Sequence, residues 1–295
     1  MRILVTGASG MLGATIVKML SDQFTVYATG NSNFENSFSR YKKFDLYTEN
    51  YNELIKWSTP DIIILCGALT NGNYCNNNPE IAFNINGVSV KKFIDATREN
   101  VKLIYISTDA VFPSALHFAK ETDCVSPENV YGKSKELGEF FLINSNRKFA
   151  IIRTTIVGLN INKSKSGFVE WIINSSKNNE SISLFEDVVF TPITIWDLSK
   201  ELCFLIKNNN ISSEILHISG KSICTKYEFG KSILEALNID SSKVEKGSIK
   251  SFEDRAKRCT DQTLDCTNYQ NKYNRNLPSL LETISTIKKY YGEQY

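Results

Sequence analysis

A tyrosine followed four positions later by a lysine occurs at two places in the chain, Tyr131 with Lys135 and Tyr227 with Lys231. Positions four apart lie on the same face of a helix, so in either pair the ammonium can lie near the phenol. A free phenol has a pKa of about 10, and a nearby cation lowers it toward the range of rapid proton exchange at neutral pH. Either pair could therefore act as a general acid or base on a carbonyl or carbinol.

The surrounding sequence favours the first pair. Tyr131 opens a predicted helix soon after the apolar run at 103–107, and α/β sheets bind ligands beyond the carboxyl ends of such strands. Thr108 stands at that strand end, where its neutral hydroxyl can hydrogen-bond a substrate carbonyl. Tyr227 belongs instead to a simple amphipathic helix far downstream. We therefore predict Thr108, Tyr131 and Lys135 as the catalytic residues.

A glycine-rich turn near the start of the chain, TGASGMLG, follows the first apolar run and leads into a helical pattern. Gly7 permits a sharp turn, Gly10 lets the backbone approach a pyrophosphate, and Gly13 lets the helix pack on the sheet. The helix that begins at Met11 and Leu12 presents free N–H groups to the anion. This combination of strand, turn and helix is typical of a dinucleotide-binding loop.

The end of the second predicted strand lacks the acidic residue that would bind the ribose 2′-hydroxyl of NAD. Asn31 and Ser32 stand there, and with Arg40 nearby they can hydrogen-bond a 2′-phosphate that no carboxylate repels. We therefore expect NADP(H) to be favoured over NAD(H). Asp45 and Leu46 follow a third apolar run, where Asp45 either contacts the adenine or lies in a plain exposed turn.

These residues need a scaffold, and the alternation of apolar runs with helical patterns predicts one. Strands are predicted at residues 3–6, 25–29, 61–66, 102–107 and 149–153, and crossover helices at 10–20, 79–98 and 130–144. Uninterrupted apolar strands indicate a parallel sheet that is buried on both faces. The predicted fold class is α/β, a Rossmann-type doubly wound parallel sheet with a smaller C-terminal α/β substrate-binding subdomain.

The pattern loosens after Arg153, where a second part of the chain is expected. We predict an NAD(P)-binding domain over residues 1–155 with a return segment at about 188–220, and a substrate-binding subdomain over 156–187 and 221–295. Within the second half, helices are predicted near 167–176, 193–207 and 226–237, a strand at 215–219, and an irregular tail after 237.

The predicted subdomain would close over the reactive end of the dinucleotide and supply contacts to the substrate. The candidate substrate contacts are Thr108, Asp109, Ile156, Asp187 and Thr191. The alternative is that Ile156 belongs to the core and that Thr191 only forms a turn.

Composition restricts the partners of this chain. A formal net charge of +2 provides no field that would recruit nucleic acid or an anionic membrane. No apolar run approaches the length of roughly 18 residues that a membrane helix needs, and the chain opens without a secretory leader, so we expect a cytoplasmic protein. Seven cysteines without a CxxC pair indicate reduced thiols, and His117 and His217 lack neighbours at metal-ligand spacing, so we expect no metal.

Taken together, the motifs resemble the extended branch of the short-chain dehydrogenase/reductase superfamily, and within it the dTDP-4-dehydrorhamnose reductase group. The matching segments run in order along the chain: TGASGMLG, FDLYTEN, PDIIILCGALTN, NPEIAFNINGV, YISTDAVF, PENVYGKSKELGE, IIRTTIVG, FTPITIWDL and ILHISGKSICTKYEFGKSI. The resemblance implies that Gly67 and Ala68 lie beneath the cofactor and that Asn86, the central-helix asparagine, contacts it. It also implies a nucleotide-sugar substrate and a homodimer as the assembly to consider.

Three positions depart from the rhamnose-forming members of that group. Ile156 replaces an aromatic residue, residues 113–114 replace a DG pair, and Asp187 precedes valine instead of glutamine. We expect NADPH-dependent reduction of a nucleotide-linked 4-keto-6-deoxy sugar, in deoxysugar or cell-surface polysaccharide biosynthesis. The alternatives are an epimerase or dehydratase of the same superfamily, and a non-catalytic NADP-binding regulatory subunit like the methionine adenosyltransferase β subunit.

Overall fold

The computed structural model describes residues 1–34, 38–163, 165–251 and 257–294 of the 295-residue chain. Its strands, in chain order, are β1 (Arg2–Thr6), β2 (Thr25–Gly30), β3 (Tyr41–Lys43), β4 (Ile62–Leu65), β5 (Lys102–Ile106), β6 (Phe149–Arg153), β7 (Ile156–Val157), β8 (Ile182–Phe185), β9 (Val189–Phe190), β10 (Ile193–Thr194), β11 (Glu214–His217), β12 (Cys224–Thr225), β13 (Val244–Gly247) and β14 (Asp261–Gln262).

The helices of the same residues alternate with these strands. They are α1 (Met11–Leu20), α2 (Tyr51–Ser58), α3 (Gly72–Asn77), α4 (Pro79–Phe83), α5 (Ser89–Ala96), α6 (Val130–Ile143), α7 (Phe168–Lys177), α8 (Ile195–Lys207), α9 (Lys226–Ala236), α10 (Thr267–Tyr273) and α11 (Leu280–Gln294). A π-helical turn (Asn84–Val88) joins α4 to α5. Among these described helices, none is both long and apolar enough to cross a membrane.

Seven strands form a parallel central sheet in the order β11-β6-β5-β4-β1-β2-β3. Side chains alternate between its faces, so Ile3 and Val5 pack into one core while Leu4 packs into the other. Helices α1 and α8 cover the first face, and α2, α5 and α6 cover the second. This confirms the predicted Rossmann-type doubly wound sheet.

The chain returns to this sheet after leaving it. Strand β11 pairs with β6, with Glu214 beside Ala150 and His217 beside Arg153, and α8 packs in the same core as α1. The outermost strand on that side therefore comes from the second half of the sequence.

The remaining described strands form three small sheets. β13 pairs in parallel with β8, β9 lies between β12 and β14, and β7 pairs with β10. Ile172 of α7 and Leu234 of α9 pack with Ile182 and Leu184 in a third, smaller core. The expectation of an irregular tail after residue 237 is wrong, because the tail contains two strands and the helices α10 and α11, which bury Tyr269 and Ile287.

Candidate active-site cleft

A cleft with a volume of about 1460 Å³ opens at the carboxyl ends of β1, β4 and β5. The glycine loop and the end of β5 line one side. Residues that follow β6 line the other side, among them Ile156, Lys165, Phe190 and Lys226. Ligands of open α/β sheets bind at this edge, so the cleft is the candidate active site.

The glycine loop is tightly packed at the floor of the cleft. Gly7 has a φ of 66°, and a Cβ on it would lie 2.6 Å from the Gly67 backbone. A Cβ on Gly13 would lie 2.3 Å from the Gly7 carbonyl oxygen, so α1 can approach the loop only without a side chain there. Gly10 caps α1, whose first turn carries no acidic residue. With Met11 and Leu12 also on the wall, these residues fit a dinucleotide pyrophosphate.

At the end of β2, Asn31 lines the cleft whereas Ser32 lies just outside its wall. The Nζ atom of Lys165 donates to the carbonyl oxygen of Ser9 at 2.7 Å and lies 3.5 Å from the Ser32 hydroxyl. Arg40 is directed elsewhere, since its Nε donates to the Val26 carbonyl oxygen at 2.9 Å.

Lys165 is a cation that sequence reasoning missed. It follows the polar loop after β7, and nothing in its own segment indicates that this loop reaches the glycine turn, which lies more than a hundred positions earlier.

The other residues predicted to contact the cofactor follow β3 and β4 or lie in the π-helical turn. Asp45, Leu46, Gly67 and Ala68 all line the cleft, and the Asp45 carboxylate accepts from Tyr47 N at 2.9 Å. Asn86 lies behind the wall, in the π-helical turn.

The prediction that Asn86 contacts the cofactor needs correction. Its Oδ1 accepts from Leu69 N at 2.7 Å, and its Nδ2 donates to Leu69 O at 3.0 Å and to Ser134 Oγ at 2.9 Å. The amide therefore joins the cleft-lining segment around Leu69 to helix α6, and it has the contacts of a positioning residue.

Thr108, Tyr131 and Lys135 converge at the reactive end of the cleft. Asn129 caps α6 by accepting from Gly132 N at 2.8 Å, which places Tyr131 in the first turn of the helix. Thr108 follows β5, where its hydroxyl donates to Asp109 Oδ1 at 3.0 Å and lies near enough to the Tyr131 hydroxyl to influence its pKa. Lys135 lies one turn further along the helix, and its Nζ donates to Ile106 O at 2.7 Å.

The electrostatics of this trio differ from the expectation. Burial raises the pKa of Tyr131 above that of an ordinary phenol, and the nearby Thr108 hydroxyl opposes that rise only in part. Burial lowers the pKa of Lys135 to about 7, while the neighbouring Glu139 and Cys66 oppose the shift. The expectation that the ammonium lowers the phenol pKa is wrong for this structure, because that ammonium lies against Ile106 and 4.0 Å from the Tyr105 ring centroid.

A buried ion pair between Arg153 and Glu139 stabilises the positions of the catalytic trio. Arg153 donates to Glu139 Oε2 at 2.7 Å, and Ser107 donates to the other oxygen of the same carboxylate. The network joins the ends of β5 and β6 to helix α6, so it fixes Thr108 relative to Tyr131.

The candidate substrate contacts divide into two groups. Thr108, Asp109 and Ile156 line the cleft, whereas Asp187 and Thr191 lie outside its wall. This placement corrects the sequence interpretation of the last two residues.

Asp187 and Thr191 have structural contacts instead. The Asp187 carboxylate accepts from Ser248 Oγ at 2.6 Å and from Ile249 N at 2.9 Å, which joins β8 to the segment after β13. Thr191 is fully buried, and its hydroxyl lies 3.0 Å from Ser219 Oγ. It therefore belongs to the core, whereas the alternative interpretation had placed it in a turn.

Lys226, which the sequence interpretation passed over, enters the cleft from the first turn of α9. Its Nζ lies 3.3 Å from the centroid of the Phe190 ring. Its neighbours Tyr227 and Lys231, the rejected pair, do not line the cleft, and Lys231 Nζ donates to Ser241 Oγ at 2.9 Å. Within the described ranges, no group of three or more His, Cys, Asp or Glu side chains could hold a metal ion.

Comparison with known proteins places this geometry among nucleotide-sugar enzymes. Residues 1–291 match the family model described as the RmlD substrate binding domain. The chain is 26% identical over 295 residues to a probable low-salt glycan biosynthesis reductase, Agl14, of Haloferax volcanii, with 98% of both chains covered.

Two solved structures share the whole architecture. A dTDP-4-dehydrorhamnose reductase of Clostridium acetobutylicum has a TM-score of 0.86 and 28% identity, with 99% of both chains covered. A dTDP-4-dehydrorhamnose reductase of Bacillus anthracis, solved in complex with NADP, has a TM-score of 0.85 and 26% identity, with 97% of this chain and 98% of that chain covered.

Proposed function

The chain belongs to the family of the RmlD substrate binding domain, as the motifs predicted, and on that premise we propose that this oxidoreductase reduces a nucleotide-linked 4-keto-6-deoxy sugar with NADPH. The observation that supports the proposal most strongly is the convergence of Thr108, Tyr131 and Lys135 at the end of the cleft that begins at the glycine loop. The proposed role is in deoxysugar or cell-surface polysaccharide biosynthesis, in line with the glycan biosynthesis reductase among its relatives.

The chemistry assigned to these side chains is that of a ketone reduction. The glycine loop, with Gly7, Gly10 and Gly13, would hold a nicotinamide cofactor, which would supply the hydride for the carbonyl carbon. Tyr131 gives its proton to the carbonyl oxygen, and the Thr108 hydroxyl hydrogen-bonds that oxygen and orients it. The phenol is protonated at neutral pH, as a proton donor requires, although burial raises the pKa of Tyr131 and so makes it a weaker acid than a phenol in water.

Turnover of NADPH with a panel of 4-keto nucleotide sugars tests the reductase. We expect one NADPH oxidised for each carbinol formed. A product formed without net NADPH oxidation would instead indicate the epimerase or dehydratase. NADPH binding without any product across the panel would indicate the regulatory subunit.

We further propose that the 2′-phosphate of NADPH binds near Asn31 with Lys165 as its cation, which would favour NADP(H) over NAD(H). Calorimetric titration of Lys165→Met should show NADPH binding weakened by about 10- to 100-fold, the range for a hydrogen bond to a charged group, and NADH binding little changed. Lys163→Met, in the same loop, is the control. Equal losses for both nucleotides would contradict this assignment.

A further inference from the structure

Lys226 is a cation whose hydrogen-bonding capacity is not met within the protein. Its Nζ lies between two aromatic rings, 3.3 Å from the Phe190 centroid and 5.6 Å from the Phe168 centroid. No hydrogen bond joins this Nζ to the part of the chain that the structure describes. Lys226 is only partly buried, so its three N–H donors are open to the cleft and available to an acceptor on a bound ligand.

Asp109 lies close enough to Lys226 for the two charges to interact. Both side chains line the cleft, and no ion pair within 4.0 Å joins them in the described chain, so each is open to a group bound there. Burial raises the pKa of Asp109 to about 6 and lowers the pKa of Lys226 to about 8, while the attraction between the two opposes both shifts. At neutral pH both groups are therefore charged.

The position of Asp109 relates this pair to the reacting carbonyl. Its Oδ1 accepts from Thr108 Oγ1 at 3.0 Å, and Thr108 in turn lies near the Tyr131 hydroxyl. When a carbonyl binds, the Thr108 hydroxyl turns its one proton from Asp109 to the carbonyl oxygen, which leaves the Asp109 carboxylate beside the carbonyl and able to accept a proton from the substrate.

We infer that Lys226 and Asp109 together bind the hydroxyl on the sugar carbon next to the carbonyl, an inference that rests on the proposed reductase function. The hydroxyl oxygen accepts from the ammonium, and the hydroxyl proton is donated to the carboxylate. A hydroxyl is the group that can satisfy both at once. A phosphate or carboxylate at this point would be repelled by Asp109, and a methyl group would leave both charges without partners.

Two substrates that differ only in this hydroxyl test the inference: a 4-keto-6-deoxy nucleotide sugar, and its analogue lacking the hydroxyl at carbon 3. For the wild-type protein with NADPH, we expect kcat/KM to fall by about 10- to 100-fold when the hydroxyl is removed. For Lys226→Met, the two substrates should differ by less than about threefold. Lys231→Met, on the same helix and outside the cleft, should keep the wild-type ratio. A wild-type ratio in Lys226→Met would overturn the inference.

Two further measurements test the inference if Lys226→Met does not fold or if the protein shows no turnover. If Lys226→Met does not fold, as judged by its thermal unfolding, Asp109→Asn replaces it and should reduce the ratio in the same way. Calorimetric binding of both nucleotide sugars to the NADP-loaded protein needs no turnover. Discrimination in binding without NADPH oxidation would refute the reductase and support the hydroxyl site; equal binding of the two by the wild type would refute the site and leave the reductase standing. If neither sugar nucleotide binds, both proposals fail.

Discussion

Tyr131 holds its proton more firmly than a phenol in water, and Lys135 holds its proton less firmly than an amine in water, because both are buried. The same burial makes them sensitive to any charge that enters the cleft. The positions of Tyr131 and Lys135 could be predicted from sequence, because their helix follows the end of a predicted strand and residues four apart lie on one face of a helix. The positions of Lys165 and Lys226 could not, because each depends on how a distant segment folds back onto the sheet.

Replacing the general acid Tyr131 should slow the chemical step without weakening cofactor binding. We expect Tyr131→Phe to lower turnover by a factor on the order of 10² to 10⁴, the range for loss of a positioned general acid, with cofactor affinity nearly intact. Tyr227→Phe removes a hydroxyl outside the cleft and should leave turnover almost unchanged. Steady-state rates and NADPH titrations of both variants check this, and similar losses in the two would contradict the choice of Tyr131.

His217 should make the fold sensitive to acid. Burial, reinforced by the charge of Arg153, lowers the pKa of His217 to about 3, and its Nε2 has no hydrogen-bond partner. Between about pH 6.5 and 3 the unfolded chain therefore binds a proton that the folded chain does not, so stability falls as the pH falls.

This contribution amounts to about 2 kcal/mol between pH 7 and 5, from 1.36 kcal/mol per pH unit below the unfolded pKa of about 6.5. Denaturant unfolding of the wild type and of His217→Gln at both pH values measures it. The variant should lose less stability on acidification, since all other titrating groups are common to both proteins. Parallel losses would show that His217 does not carry the effect.

Among the elements, helix α6 has a strict packing requirement at its first turn. Its first turn lies against the segment after β5, where a Cβ on Gly132 would be 2.2 Å from Ala110 O and 2.7 Å from Pro127 Cβ. Apolar periodicity predicted this helix within a residue of its observed end. The two-residue strands β7, β9, β10, β12 and β14 escaped prediction, because strands of this length have no periodicity and exist only through their partners.

Adding one methyl group to α6 should therefore displace the helix. We expect Gly132→Ala to destabilise the protein by about 1–3 kcal/mol, the range for overpacking, and to lower turnover because Tyr131 is the preceding residue. Gly292→Ala in α11 is the matched control, since a Cβ there meets nothing within 4 Å, and alanine favours a helix by up to about 1 kcal/mol. Equal effects of the two on unfolding would contradict the packing requirement.

At the scale of the whole molecule, one cleft is built from two parts of the chain. The sheet supplies the glycine loop and the catalytic trio, and residues after β6 supply Ile156, Phe190 and Lys226. The return segment predicted at about 188–220 contains α8 and β11, which pack against and pair with the central sheet. The sequence interpretation misjudged Asp187 and Thr191, since polar residues in loops look alike whether they face a ligand or hold two strands together.

Substitutions in the residues after β6 should show which side chains bind the substrate and which only stabilise the fold. Ile156→Trp fills part of the cleft wall, so we expect the Michaelis constant for the sugar nucleotide to change while the NADPH dissociation constant stays within about threefold. Asp187→Ala breaks the contacts to Ser248 and Ile249, and should lower the unfolding temperature while leaving the Michaelis constant unchanged. The opposite pattern in the two variants would restore Asp187 as a substrate contact.

Because β11 pairs with β6, the central sheet is completed only when the ribosome has synthesised β11, well after β6. Roughly 60 residues separate these neighbours, which at about 5–20 residues per second corresponds to about 3 to 12 seconds of synthesis. During that interval β6 is an open edge, with an apolar surface that α8 has yet to cover. A nascent chain that ends before β11 therefore exposes the unpaired backbone N–H and C=O groups of β6, which can pair with a strand of another chain. Chaperones that bind exposed strand edges would bind this protein at that stage of its synthesis.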